Sequence, residues 1–473
     1  MEEKNTQTEY ALATEPIGIL LRKYATPSIV AMLVGAFYNI VDQIFIGNSI
    51  GVAGNAATNV AFPLTTLSLS LALLVGIGGA ANFNLRLGEK RKEEAKFYLA
   101  NSFIMIGIFG LALTLMVKLF LPQLLTLFGA TADNMVHAKT YTDITSNGFL
   151  FLILTNAGTA LVRADGSPKF SMLAILVGGI TNLILDPLFI FVFGWGMAGA
   201  AWATVIGQFF SALMVIYYAR NFKTVQLTRE DFKPSLYHMK QIVSLGAAPF
   251  FNQVSLLVVQ IIMNNSFVYY GRASRFGPTI PLAVVGIGMK VFMIFFAFAL
   301  GISQGMQPLV SYNYGARNYD RAKEAYKLSV KVAMLILSVA FILFQTIPGY
   351  ILRLFGTGSA EYFEFGSYYF RIYLLFTFLI PIQPLTTNLL TSIGEAKRGI
   401  FLSLTRQIIF FVPFALILPR FFGIMGLLYT GPVADFISFL LAAWMAYNVF
   451  KEMDYLEQKA KFDEQRPTYY KAS

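Results

Sequence analysis

Long apolar runs separated by short basic joints dominate this chain. Phe97–Val117, Gln241–Gly271 and Val332–Leu352 contain no charged residue, Phe170–Ala219 contains only Asp186, and Phe276–Ala316 only Lys290. Between Tyr24 and Leu85 the single charge is Asp42. A bilayer core of about 30 Å is crossed by roughly 20 apolar residues in helical form, and these runs reach that length repeatedly. The pattern predicts an all-α polytopic membrane protein with twelve spans near residues 22–46, 56–84, 96–120, 138–162, 170–193, 197–219, 241–270, 279–308, 324–350, 362–391, 399–419 and 424–450.

Composition agrees, since 13% of the residues are charged against about 25% in soluble domains. The net charge of +11 would suit a nucleic-acid partner, but its distribution argues against one. With the spans above, 27 of the 36 Lys and Arg fall in the two tails and the even-numbered joints, six at or beyond the opposite ends, and three inside spans. This asymmetry follows the positive-inside rule and puts both termini in the cytoplasm; the basic joints then meet lipid headgroups. There is no cysteine, so disulfides and thiolate metal sites are excluded. The acidic start, MEEKNTQTEYALATEP, lacks the basic and apolar regions of a signal peptide.

The chain repeats at an offset of 227 residues: Gly88, Lys90, Ala95 and Lys96 return as Gly315, Arg317, Ala322 and Lys323, and Gly196 and Gly199 as Gly423 and Gly426. LFG at 127–129 returns at 354–356, Tyr141 as Tyr368, and DGSPK (165–169) has a loose echo in GEAKR (394–398). A shared offset over this length marks an internal duplication. An even number of spans per unit gives both units the same orientation, related by a pseudo-twofold axis along the membrane normal. The expected organisation is a tail 1–21, an N-lobe 22–219, a cytoplasmic linker 220–240, a C-lobe 241–450 and a tail 451–473. Two such lobes around a central cavity suit alternating access.

Polar chemistry inside the spans is concentrated in the first copy. Span 1 carries Asp42 into the outer half of the membrane, span 5 brings Asn182 and Asp186 to that depth one helical turn apart, and span 6 brings Thr204. Asn156 of span 4 reaches them only through a tilt or a local break. Carboxylate, amide and hydroxyl oxygens at one level suit a hard cation or a pair of acids sharing a proton. With the copies aligned on their prolines, Asp42 corresponds to Asn264, Asp186 to Val412 and Asn182 to Ile408, so the acids were not duplicated with the scaffold. Intramembrane acids are expensive and mark function.

FYNIVDQIFIG (37–47), TNLILDPLFIF (181–191) and GISQGMQPLVSYNYGA (301–316) together resemble the MATE (multidrug and toxic compound extrusion) family of antiporters, in its prokaryotic DinF-like and MepA-like branch, over residues 22–450. The resemblance implies a MATE/MOP-type fold and a multi-pass protein of the prokaryotic cell membrane. It also implies exchange of drugs, mostly amphipathic organic cations, for H⁺ or Na⁺ at Asp42, Asn182, Asp186 and Thr204. Asn156 and Tyr38 are implied neighbours, and Pro27 a hinge. The acids of NorM-type members in the seventh and tenth helices are not evident here. No organic cofactor, nucleic acid or metal beyond the coupling ion is expected, and the expected unit is a monomer.

Lys290, Arg371, Arg406 and Asp435 fall near mid-depth of the C-lobe, where they either face the cavity or hold the lobe together as an interior charge network. Tyr141, Phe149 and Gln208 join them as candidate cavity residues. GIGGA (76–80) resembles a phosphate loop but lies inside an apolar span, where close helix packing is expected instead. No GxxxxGK[ST] or HExxH motif occurs, so ATP-driven transport and zinc proteolysis find no support. Competing readings are a lipid-linked oligosaccharide or lipid flippase of the same superfamily, or a membrane receptor or enzyme. On this topology, reporter fusions at residues 230 and 460 should both report cytoplasm; an external signal from either would reverse it.

Overall fold

The computed structural model describes residues 11–130, 134–355 and 358–465; residues 1–10 and 466–473 of the expected tails, and Gly356 of the repeated LFG, lie outside them. Among the described residues the chain is helical and contains no strand. Ten of the twelve expected spans form helices long and apolar enough to cross a membrane. Span 1 is Ile17–Ile50, span 2 Val52–Gly88, span 3 Lys92–Leu127, span 7 Leu236–Arg272, span 8 Thr279–Gly315 and span 9 Tyr319–Thr346. Several helices outrun their apolar cores at the basic end, where pairs such as Asp320–Lys323 and Glu457–Lys461, each at 2.7 Å, support helix in water.

The other two spans are broken. Span 4 consists of Met135–Ser146 and Phe149–Ala164, bent by 53°. Span 10 runs through the short helix Ala360–Tyr368 and a π-helical turn, Tyr369–Tyr373, then tight turns, before Ile382–Ser392. Pro381 and Pro384 contribute no N–H to this segment, and its turns close through i→i+3 bonds such as Leu379 N–H to Phe376 O at 2.8 Å.

The duplication is visible in the backbone. Lys90 and Arg317, the positive-φ residues other than glycine among the described residues, adopt φ of 63° and 61° and stand at the repeat offset. Gly196 and Gly423 do the same at 53° and 57°. A left-handed conformation costs a side-chain-bearing residue about 1–2 kcal/mol, so its recurrence reflects one loop geometry inherited twice.

One buried core joins both halves on the face carrying the chain ends and basic joints, the basic face: Leu20 and Tyr24 of span 1 and Phe83 of span 2 pack in it with Met306 of span 8 and Leu389 of span 10. Towards the opposite face the core divides in two, one around Ile46, Val60 and Met105, the other around Phe267, Phe365 and Phe411. The halves therefore meet at the basic face and part beyond it. On span 1, Ala25 and Ile29 touch span 8, whereas Phe37 and Ile44, further along the helix, are exposed.

Glycine makes the closure possible. A Cβ on Gly246 of span 7 would lie 1.7 Å from the carbonyl oxygen of Leu74, and one on Gly305 of span 8 would lie 2.6 Å from Ala25 Cα. Backbones at this distance leave no room for any side chain. Within GIGGA, Gly78 joins the same seam against the Ile242 carbonyl, while Gly76 packs against Ala157 of span 4 inside the N-terminal half, so these glycines serve helix packing. Gly246→Leu should hold the halves apart at the basic face. In this cysteine-free chain, a single cysteine at Met32 should then react severalfold faster with a thiol reagent; an unchanged rate would show that the seam does not control closure.

Candidate functional site

Span 1 passes through Pro27 as one helix and delivers Asp42 to the N-terminal half's interior. Span 5, Pro168–Pro187 continued by a π-helical turn, Leu188–Val192, presents Asn182 and Asp186 on one face. Span 6, Gly196–Ala219, presents Thr204. The structure brings these four together: Asp42 is 7% exposed and Asp186 1%, and their carboxyl groups are neighbours in the same buried cluster. Asn182 Nδ2 donates to Asp186 Oδ1 at 3.3 Å and to Thr204 Oγ1 at 3.4 Å. Turned over, the same amide donates to Asp186 Oδ2 at 3.0 Å and accepts from the Thr204 N–H at 3.2 Å. Either orientation ties span 5 to span 6 through Asn182 and Thr204.

Two aromatic hydroxyls complete the cluster. Tyr38, one turn before Asp42, and Tyr141 lie beside the two acids and Thr204. Tyr141 arrives because span 4 breaks at Asn147–Gly148. Gly148 permits the break to lie against span 6, for a Cβ there would sit 2.4 Å from Gln208 Oε1. The local break expected for Asn156 thus exists, but it precedes Asn156 and swings Tyr141 into the site instead. Asn156 donates to Leu152 O at 2.9 Å and lines a separate cavity with Thr159, Arg163 and Gln304.

The arrangement has a definite chemical consequence. Two neighbouring buried carboxyl groups disfavour ionisation of both, so the arrangement suits a shared proton. Asp42 Oδ1 is buried without a partner, leaving an acceptor for a further proton or a cation.

The remaining candidates separate. Phe149 is buried in the N-terminal half's core and has no face for a substrate. Gln208 Oε1 is buried and unpartnered beside Gly148. In the C-terminal half, Arg406 Nε and Asp435 Oδ1 form an ion pair at 2.7 Å, with Arg406 carried on a π-helical turn, Thr405–Phe411. Arg371 does not join them: it is exposed and exchanges hydrogen bonds with Gln345 near the end of span 9, donating through Nε at 3.2 Å and accepting at 3.0 Å. Lys290 is exposed and lies three turns from Gly301 on the helix face that meets span 1. Nothing in the local pattern distinguished Tyr141 from other aromatics, and Arg163 counted only as one of the basic-face charges; a two-residue polar interruption, Asn147–Gly148, was the available signal for the first.

The MatE family model matches twice, at residues 27–188 and 254–417, with starts at the repeat offset of the sequence. The multidrug export protein MepA of Staphylococcus aureus (strain MRSA252) is 25% identical over 443 residues, covering 93% of this chain and 95% of its own length. Among solved structures, a ligand complex of the MATE multidrug transporter DinF-BH is 34% identical, with a TM-score of 0.85 over 92% of this chain and 96% of that one. An outward-facing MATE transporter of the MOP superfamily matches at 23% identity and a TM-score of 0.86 over 93% of this chain and 99% of that one. Duplicated halves, a two-lobe helical fold and matches across both lobes lead to one conclusion: this chain belongs to the MatE family.

Proposed function

We propose that the protein is a secondary active exporter of amphipathic, mostly cationic small molecules, driven by protons that enter through the Asp42–Asp186 pair. The observation that carries this reading is the burial of two neighbouring carboxyl groups inside the N-lobe, which suits one shared proton because both cannot easily ionise. The names of the relatives support multidrug export, and DinF-BH, a MATE multidrug transporter, was solved with a ligand bound. The asymmetric placement of basic residues assigns the basic face to the cytoplasm, so the lobes as described are closed inward and parted outward. A proton taken from outside reaches the pair in this state; parting of the lobes at the glycine seam then exposes the cytoplasmic side. One charge moved across 100 mV releases about 2.3 kcal/mol, roughly a fifty-fold concentration ratio. Na⁺ bound by Asp42, Asp186, Asn182 and Thr204 is the alternative coupling ion. The flippase reading loses weight because the Arg406 charge is neutralised by Asp435.

Asp→Asn retains shape and most hydrogen bonding but cannot release a proton. Asp42→Asn and Asp186→Asn should each leave expression intact and abolish uphill efflux in proteoliposomes, with the double variant no worse than either single one. Wild-type efflux by either variant under a proton gradient would sink proton coupling through this pair; efflux that follows an imposed Na⁺ gradient would replace the proton with Na⁺.

In the C-lobe the charges should separate by role. Asp435→Asn alone leaves a buried guanidinium unpaired and should cost about 3–5 kcal/mol, read as a lower melting temperature, with Arg406→Gln added to it recovering most of the loss. Lys290→Ala should change the ranking of drugs exported while drug-dependent proton movement persists. Loss of coupling for every drug in Lys290→Ala would place the energising site here.

A further inference from the structure

Arg163 lies at the basic end of span 4 and is only 4% exposed. The one hydrogen bond of its guanidinium among the described residues is a long one, from Nη1 to Ser171 Oγ at 3.5 Å. The nearby carboxylate does not neutralise it: Asp165, two residues on, is engaged elsewhere, accepting from Tyr218 at 2.7 Å, from the Lys223 N–H at 2.6 Å, and from the Thr224 N–H at 2.9 Å and hydroxyl. A guanidinium stays charged in a protein, and a buried charge without a counter-charge is among the costliest arrangements a fold can hold. The compensating charge must come from outside the polypeptide.

The guanidinium opens on a cavity of about 20 Å³ between spans 1, 2, 4, 5 and 8, lined also by Asn156, Thr159 and Gln304. Gln304 belongs to the opposite lobe and reaches the cavity only because the lobes are closed. Its amide nitrogen has only Met32 Sδ within reach, at 3.6 Å, and a thioether is a weak acceptor. Donors from both lobes thus converge on a space that holds about one water-sized particle, too small for phosphate or for a drug's carboxylate with its carbon frame.

We infer that Arg163 and Gln304 form a site for a small monovalent anion of chloride size, captured from the basic face when the lobes close over it. The site shares no residue with the Asp42–Asp186 cluster. An anion held by both lobes binds this closed state better than one in which Gln304 has withdrawn, and so shifts the population towards it.

The test uses the purified full chain, with potassium chloride compared against potassium gluconate at equal ionic strength. Chloride should raise the unfolding temperature in a saturable manner, bromide should substitute for it, and bromide-soaked crystals should show an anomalous peak beside Arg163. Gln304→Leu, which keeps the guanidinium, should weaken the apparent chloride affinity about tenfold, and Arg163→Gln should remove the response. Equal unfolding temperatures in chloride and gluconate for the wild type would mean that the cavity holds water only, and would overturn the proposal. So would an undiminished chloride response in Gln304→Leu, which decides the matter even where Arg163→Gln fails to fold. A normal chloride response in protein whose efflux ignores the proton gradient would unseat the coupling reading and leave this one standing.

Discussion

A carboxyl group inside a bilayer has no water to satisfy it, so Asp42 must find its partners within the protein. Much of the N-lobe is arranged around that requirement. Span 5 supplies a second acid and an amide one turn apart, span 6 a hydroxyl, and the break in span 4 a tyrosine that no straight helix would deliver. These polar groups lie on four different spans, and the hydrogen bond between Asn182 and Thr204 joins two of them directly. In a membrane, where helix association draws on packing and polar contacts rather than on exclusion of water, the proposed coupling cluster also contributes to the packing of the lobe.

The C-lobe solves the equivalent problem differently. Its inherited positions carry Asn264, Val412 and Ile408 where the N-lobe carries Asp42, Asp186 and Asn182. Its one buried acid with a charged partner, Asp435, is neutralised by Arg406. A carboxylate held by a permanent cation is poorly suited to take up and release a proton, whereas a carboxyl pair without a cation changes its interactions whenever a proton enters or leaves. On the proposed mechanism the scaffold is symmetric because rocking needs two equivalent halves, and the chemistry is asymmetric because one titrating centre suffices.

Closure depends on backbone proximity rather than on side-chain recognition. Span 7 lies against span 2 through Gly246 and Gly78, and span 8 against span 1 through Gly301 and Gly305. Flat helix faces without side chains can separate and rejoin without repacking rotamers, which suits the parting of the lobes in the proposed mechanism. Near this seam Arg163 and Gln304 approach the same cavity from opposite lobes, so whatever occupies it senses whether the lobes are closed.

The sequence by itself determined the spans, the duplication and the principal acids. Hydropathy over a helix length is a local property, and so is a repeat offset, which reappears as the paired left-handed conformations of Lys90 and Arg317. Asp42, Asn182, Asp186 and Thr204 were legible because a polar side chain in an apolar run is costly wherever it points, and depth along a helix is simple arithmetic. Direction is what the sequence did not contain. Whether Tyr141 or Asn156 turned towards the acids depended on where span 4 broke, and whether Asp435 met Arg406 or Arg371 depended on π-helical turns and on the broken path of span 10. Arg163 belongs to the same category: one more basic residue at a span end by sequence, it became a buried charge facing a cavity only when two lobes, far apart along the chain, closed over it.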